Sequence, residues 1–384
     1  MKVIETPGLP ILSWCGEPEG GAIEQAIHLA QLPFAHHHIA LMPDTHQGYG
    51  MPIGGVLAAR GTIIPNAVGV DIGCGMLAAQ TALRDITQEE VKQILGLLRK
   101  AIPVGFKHRD TPLAIPGPPS NAPIARAEYE SARHQAGTLG GGNHFIEIQR
   151  GNDGHIWFMV HSGSRNIGKK VCDHYNALAK KLNARWKTEV PAKWDLAFLP
   201  TDTEEGQQYI AEMEYCQAFA QRNRAAMAEV IAFVFGEVFP ALPSPESPTL
   251  NVHHNYARLE HHFGQDVWVH RKGATSARAG ETGIIPGSQG TKSYIVTGLG
   301  NPDSFLSCSH GAGRIMGRKE AQKTLSLAAE VKRMNDQNIV HGIRSAKDLD
   351  EAAGAYKDID LVMEEQKDLV SIAVELTPLG VIKA

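Results

Sequence analysis

The sequence predicts an α+β fold: a compact single domain over residues 1–384, with mixed sheets flanked by helices. Three observations predict it. Strand-like and helix-like segments mix without a clean βαβ rhythm, which argues against a doubly wound or barrel sheet. No stretch recurs at a fixed period, which excludes a solenoid. Chemistry-bearing residues lie on both sides of the Pro-rich break at about 240–248, so that break reads as a loop within the fold rather than a domain linker.

Composition narrows the class further. A formal net charge of −4 carries no whole-chain basic signal, so any nucleic-acid contact must come from a local patch. The cysteines, at 15, 74, 172, 216 and 308, form no CxxC pair. That dispersed set argues against a disulfide framework and for a reducing compartment, with cytoplasm as the expectation. The opening Met1-Lys2-Val3-Ile4-Glu5 lacks the apolar core of a signal peptide. No apolar run approaches the roughly 20 residues of a membrane span.

In chain order, residues 1–35 read as a small β/α start. His36, His37 and His38 follow as a solvent or core feature rather than a ligand set. Met42 to Gly55 is punctuated by glycine and proline and reads as a rigid, irregular loop. Asp44 and His46 alternate within it, so on an extended chain both face one side. They either orient metal ligands from behind or cap a turn. In Val68-Gly69-Val70-Asp71-Ile72-Gly73-Cys74-Gly75-Met76, a carboxylate and a thiol stand three apart among glycines. Glycine lets the backbone come close to an ion. A soft thiolate beside a hard carboxylate suits a transition metal, and a thiolate sulfur can bridge two ions. The alternative is a buried structural cysteine in a tight turn.

Thr87 to Ala101 is a helix by its punctuation: Thr87 and Glu90 make a capping box, and Ile86 and Val91 a hydrophobic staple. Val91, Ile94, Leu95 and Leu98 supply one apolar face. The span 103–124 holds six prolines and reads as a loop. Its Lys107, His108 and Arg109 either meet a phosphate backbone or stand in solvent. Gly140-Gly141-Gly142 leads into Asn143-His144-Phe145-Ile146-Glu147-Ile148, whose tail alternates like a strand, with His144 and Glu147 as candidates for chemistry. Ile156 to Val160 reads as a buried strand ending at His161. The following Ser162-Gly163-Ser164-Arg165-Asn166-Ile167-Gly168 reads as an anion-binding loop, with a structural histidine at a strand end as the plain alternative.

Residues 203–235 read as a core helix. Beyond the break come His253-His254-Asn255-Tyr256, a strand over Asp266 to His270, the loop Ile285 to Ser293 and a strand at Tyr294 to Val296. Ser307 to Arg314 is a small-residue loop around His310, helices are expected near 318–341 and 358–373, and Lys383 stands one residue from the end of the sequence.

Familiar signatures fail. Gly287 to Ser293 misses the P-loop because Thr291 separates Gly290 from Lys292, and Gly311, Gly313 and Gly317 miss the dinucleotide spacing. No Lys-x-Asp-Gly of ordinary nucleotidyl-transferring ligases occurs, nor any zinc-finger spacing. What remains is one Cys, one Asp and several His in glycine-rich or strand-end settings, a set that suits two ions clamping phosphoryl oxygens.

Taken together, Pro43 to His46, Val70 to Gly75, Gly142 to Glu147, His161 to Arg165, His253 to Tyr256, Ser276 to Gly280, Pro286 to Ser288, Ser309 to Gly313 and Tyr356 to Asp360 resemble the RtcB family of RNA ligases, nearly end to end and in family order. The resemblance implies an RtcB-like fold around a central dinuclear metal site. It implies a manganese- and GTP-dependent enzyme, with two Mn²⁺ ions. RNA ends bearing a 3′-phosphate or 2′,3′-cyclic phosphate would be joined to 5′-hydroxyl ends in tRNA splicing or RNA repair. By the family pattern His310 takes GMP. Asp71, Cys74 and His144 match one metal site; Cys74, His161 and His254 match the other, His254 being chosen over His253 because it directly precedes Asn255. Glu147 and Lys383 match the residues that read guanine. Asn143, Phe145, Ile146, Asn255, Pro286, Gly287, Ser288, Gln289, Ser293, Gly311, Ala312 and Gly313 fall at or beside nucleotide contacts, and Arg165 at an RNA-phosphate contact. Gln289 departs from the family's Met. Two other functions stay open: a two-metal RNA-end phosphatase or cyclic phosphodiesterase, and a non-catalytic RNA-end binder. The first would not need His310 or Lys383, and an intact nucleophile and full ligand set weigh against the second.

Overall fold

A computed structural model of the chain describes residues 1–241 and 249–383. Most of the expected break at 240–248 lies outside the described residues. Two large sheets organise the rest. The first runs, in spatial order, Lys2–Ile4, Ile11–Ser13, Ala35–His46, Ile53–Ala59, Gln265–Lys272 and Asn255–His262. All its pairs are antiparallel except Ile11–Ser13 with Ala35–His46. The second is wholly antiparallel: Leu250–His253, Gly75–Gln80, Ile156–Ser162, Phe145–Gly151, Val370–Lys383, Ser293–Gly298 and Thr282–Ile285. Helices pack against both sheets, so the mixed architecture expected from the sequence is present. No helix among the described residues is long and apolar enough to cross a membrane.

The chain passes from the second sheet to the first at His253-His254-Asn255. Leu250–His253 ends one sheet and Asn255–His262 begins the other. His254 therefore sits at their junction, and its N–H donates to the Cys74 carbonyl at 2.8 Å.

Local chemistry explains most boundaries. The helix Gln88–Ala101 starts at the expected box: Thr87 Oγ1 accepts from the Glu90 N–H at 3.3 Å, and the Thr87 N–H donates to Glu90 Oε2 at 2.8 Å. Its Val91, Ile94, Leu95 and Leu98 are buried, in one apolar cluster with Met227, Ile231 and Ile382. His37 stacks on Phe263 at 3.8 Å between ring centroids, and His38 on Phe305 at 4.3 Å, so the histidine run is a packing feature.

Several expectations are corrected. The helix near 358–373 is only Ile359–Glu364, and Val370–Lys383 is a 14-residue strand. Neighbours on both sides supply its ladder, and Pro378 is tolerated because a register shift falls between Pro378 and Gly380. The helix near 318–341 splits into Arg318–Thr324 and Leu327–Asp336, the second capped by Ser326. Met42 to Gly55 is not all loop, because Ala35–His46 and Ile53–Ala59 are strands on either side of a short turn. Helices Pro123–Gln135 and Arg165–Trp186 join Glu204–Val238 around a separate apolar cluster that includes Ala125, Ala132, Val171, Tyr175, Met213 and Phe219.

Candidate functional site

Residues directly opposite one another in an antiparallel pair project to the same face. His161 lies opposite Phe145, Phe145 opposite Lys383, and Glu147 opposite Val381. His161, Phe145, Glu147 and Lys383 therefore share one face of the second sheet. All four line a cavity of about 730 Å³, whose other wall includes His46, Tyr49, Lys272 and His310.

Cys74 and Asp71 come from the glycine-rich turn to meet His161 and His144, which line this cavity. The Cys74 N–H closes on the Asp71 carbonyl at 3.0 Å, and the Gly73 N–H on the Asn255 carbonyl at 2.7 Å. Cys74 Sγ lies 3.3 Å from His161 Nε2 and 3.6 Å from His144 Nε2. His161 Nε2 lies 3.3 Å from His254 Nε2, and His144 Nε2 lies 3.1 Å from Asp71 Oδ2. Cys74, His144, His161 and His254 are all buried.

Two of these imidazoles are fixed from behind. His144 Nδ1 meets the Leu139 carbonyl and His161 Nδ1 the Asn143 carbonyl, each at 2.9 Å. A carbonyl only accepts, so each Nδ1 carries the proton and each Nε2 turns a lone pair inward. Burial, reinforced by neighbouring histidines, pushes the His161 and His254 rings well below the usual imidazole range. Burial and the Asp71 charge push the Cys74 thiol well up. The sulfur and the imidazole nitrogens converge on one small buried volume, a donor set that suits a cation able to displace the thiol proton. Donors bound at about 2.0–2.3 Å to one tetrahedral ion stand roughly 3.4–3.6 Å apart, which the sulfur–nitrogen and nitrogen–nitrogen spacings here approach. The residues present therefore fit a metal centre, and Cys74, His144 and His161 form a group whose ligand atoms converge within 4.8 Å.

Asp71 accounts for the expected anion-binding loop. Its Oδ1 accepts from the Ser164 N–H at 2.9 Å and from Ser164 Oγ at 3.2 Å, at the start of the helix Arg165–Trp186. The anion held there is the chain's own carboxylate. Gly163 is required: a Cβ would stand 2.2 Å from the Asp71 carboxylate oxygens. Burial raises the Asp71 pKa, whereas the Ser164 N–H and the nearby Arg165 charge lower it. Arg165 turns away, its guanidinium on Thr138 Oγ1 and the Gly105 carbonyl at 3.1 Å each.

Sequence reasoning missed the support beneath this cluster. Arg224, fully buried on the long helix, donates to the carbonyls of Gly73 at 3.0 Å and Ser162 at 2.8 Å, and meets His253 Nδ1 at 3.2 Å. That span had read as all core; an arginine in phase with its apolar positions was the available signal. His253 thus braces the turn while His254, on the next alternation, meets His161.

The opposite wall carries His310. It follows the strand Ser307–Ser309, whose Ser309 pairs with Ala274. Gly273 must be glycine here, with φ +61° and an added Cβ only 3.0 Å from His310 Cε1. His310 Nδ1 donates to Asp44 Oδ2 at 2.6 Å, and the His310 backbone N–H reaches the same oxygen at 3.1 Å. Asp44 was expected either to orient metal ligands or to cap a turn; it orients His310 instead. Lys357 clamps the Asp44 segment through the carbonyls of Pro43 at 2.9 Å and Thr45 at 2.8 Å. The His310 and His254 ring centroids are 4.8 Å apart, so the two walls meet.

The remaining candidates divide. Asn143, Phe145, Pro286, Gly287, Ser288, Gln289, Gly311, Ala312 and Gly313 line the cavity. Ile146 is buried in the apolar cluster beneath the sheet. Asn255 is committed to the Asp71 carbonyl and the Gly273 N–H, and Ser293 Oγ accepts from the Gly287 N–H. Burial pushes Glu147 up to about 8, against the effect of a hydrogen bond from Gln149. Lys383 Nζ pairs with Asp350 Oδ1 at 2.8 Å. Arg314 and Arg318, not singled out from sequence, both reach the Glu351 carboxylate at 2.6 Å on the cavity wall.

Comparison with known proteins places the chain. A family model described as tRNA-splicing ligase RtcB matches residues 25–120 and 112–384. An RNA-splicing ligase RtcB of Escherichia coli is 40% identical over 411 aligned residues, spanning 100% of this chain and 99% of the relative. A tRNA-splicing ligase RtcB of Thermococcus kodakarensis is 31% identical, spanning 94% of this chain and 90% of the relative. An RNA-splicing ligase RtcB of Mycobacterium tuberculosis is 30% identical, spanning 94% and 100%. With matched sequence running through both sheets and both cavity walls, this chain belongs to the RtcB family.

Proposed function

We propose that this chain is an RNA ligase of splicing or repair that seals a 3′-phosphate or 2′,3′-cyclic phosphate end to a 5′-hydroxyl end, consuming GTP through a histidine–GMP intermediate. The observation that carries the reading is His310, held at Nδ1 by buried Asp44 and facing the donor cluster across one cavity.

With Nδ1 taken, Nε2 is the ring nitrogen left to bond. Its lone pair attacks the α-phosphorus of GTP; a P–N bond forms, the P–O bond to the β-phosphate breaks, and pyrophosphate leaves. Asp44 keeps the ring in the required tautomer and stabilises its positive charge as the bond forms. An oxygen of the RNA 3′-phosphate then displaces the imidazole, giving an RNA end capped by a diphosphate link to guanosine. The 5′-hydroxyl oxygen of the second RNA attacks the RNA-side phosphorus, loses its proton, and GMP leaves. A cyclic end is first opened by water to the 3′-phosphate.

Asp71, Cys74 and His144 would hold one Mn²⁺ and Cys74, His161 and His254 a second; such ions neutralise phosphate charge and orient the reacting oxygens. Glu147 and Lys383 suit the base, since guanine offers N–H donors to a carboxyl oxygen and a carbonyl oxygen to an ammonium. Asn143, Ser288 and the Gly311–Gly313 loop stand ready for the sugar and phosphates.

The test combines the protein, Mn²⁺ and labelled GTP, then RNA bearing the two ends. A covalent GMP adduct and joined RNA are expected, with neither in His310→Ala. An adduct that persists in that variant overturns the assignment. Opening of cyclic ends with no adduct and no joining supports the phosphodiesterase reading instead.

A further inference from the structure

The Pro-rich span 103–124 plays no part in the chemistry above. Near its start, Phe106 is fully free of the protein at 102% relative exposure, whereas the next most exposed large apolar side chain among the described residues, Tyr49, stands at 76%. The loop is nonetheless fastened on both sides of that ring. The Gly105 N–H donates to the Gly140 carbonyl at 2.7 Å, and Arg165 Nη2 donates to the Gly105 carbonyl at 3.1 Å. Pro103 accepts from the Leu139 N–H at 3.0 Å, and the Arg109 N–H donates to the His134 carbonyl at 2.9 Å. Gly140 belongs to the turn that presents His144; a Cβ on it would lie 2.9 Å from His144 Nδ1. The loop is thus built directly onto the segment that carries a donor imidazole.

Core packing gives no reason for this ring to point outward, since exposing a phenyl forgoes the stabilisation of burying it. Its neighbours do suggest a reason. Lys107 and His108 are exposed beside it and Arg109 is half-buried, against Asp110 as the one acid in the span. An aromatic face among cations, on an anchored backbone next to a phosphoryl-transfer site, is how proteins receive unpaired bases.

We propose that Phe106 is a stacking platform for an unpaired base of the RNA substrate, with Lys107 on the adjoining phosphate. This rests on the reading of the chain as an RNA ligase. The platform takes single-stranded RNA, because bases within a duplex are already stacked on each other.

The test measures binding of a fluorescent single-stranded RNA of about 12 nucleotides, a length within the range such surfaces occupy. Phe106→Ala is expected to weaken binding about tenfold and Phe106→Trp to restore it, with Phe106→Leu as weak as the alanine variant. The same RNA annealed to its complement shows no dependence on residue 106. Lys107→Ala lowers the slope of log affinity against log salt by about one. GMP labelling of His310, which needs no RNA, proceeds in Phe106→Ala as in the parent. Equal single-strand binding by parent and Phe106→Ala overturns the proposal, as does a loss that Trp does not restore or that duplex shares. If the parent takes up no GMP while Phe106→Ala still weakens RNA binding, the ligase reading falls and the RNA surface stands.

Discussion

His161 and His310 face the same cavity, yet their rings are held by different partners. His161 Nδ1 meets a neutral backbone carbonyl at 2.9 Å, whereas His310 Nδ1 meets the buried Asp44 carboxylate at 2.6 Å. The carbonyl fixes orientation and tautomer and leaves the ring neutral, which is what a metal donor needs. The carboxylate does the same and also stabilises positive charge on the ring, which is what a nucleophile needs as its lone pair is drawn into a new bond. The difference teaches that the atom behind an imidazole, more than the imidazole itself, separates a ligand from a reactant. His144 falls with His161, since its Nδ1 meets the Leu139 carbonyl at 2.9 Å.

The sharpest way to break this comparison is Asp44→Asn. An amide retains the shape but neither fixes the productive tautomer nor bears the charge. GMP labelling of His310 should fall about 10³–10⁴-fold, while metal content, read by mass spectrometry, should be unchanged. Loss of metal along with labelling would return Asp44 to the donor wall. Cys74→Ala comes next. If one sulfur serves both ions, this variant loses both, whereas His161→Ala loses or weakens one; an unchanged stoichiometry in Cys74→Ala removes the bridge.

The smallest effect concerns Glu147, on the same sheet face as His161. Burial lifts its carboxyl from 4.5 to about 8. Between those values the unfolded chain releases the proton and the folded chain retains it, so this residue's contribution to stability falls as pH rises across that window and is constant outside it. Glu147→Gln should therefore gain stability relative to the parent as pH climbs from 4.5 to about 8, measured by urea unfolding. If Glu147 reads guanine, the same variant should lose roughly tenfold in GTP use. A flat stability difference contradicts the burial argument.

The legible parts of the molecule were those written in local chemistry. The Thr87–Glu90 box and the Val91, Ile94, Leu95, Leu98 stripe placed a helix to within a residue. Alternation around His144 and the apolar run before His161 placed two strands of the second sheet. The donors were marked by type and glycine-rich setting, but their grouping was implied only by the resemblance to the RtcB family; Cys74 and His161, 87 residues apart, lie 3.3 Å from each other. What stayed illegible depends on distant partners. Asp44 and His310 are 266 residues apart, and nothing near Asp44 says whose nitrogen it holds. Val370–Lys383 lacks a clean alternation because both of its edges are paired and a bulge intervenes, so its strand character lies in its neighbours. Arg224 looked like one polar residue on a helix; its role lies in two carbonyls from other segments.

The most direct measurement is the position of the phosphoramidate on the GMP-labelled protein, read by ³¹P–¹⁵N NMR of ring-labelled histidine. Phosphorus bonded to Nε2 of His310, with Nδ1 still protonated against Asp44, is the result expected. Phosphorus on Nδ1, or on any residue other than His310, would contradict the account.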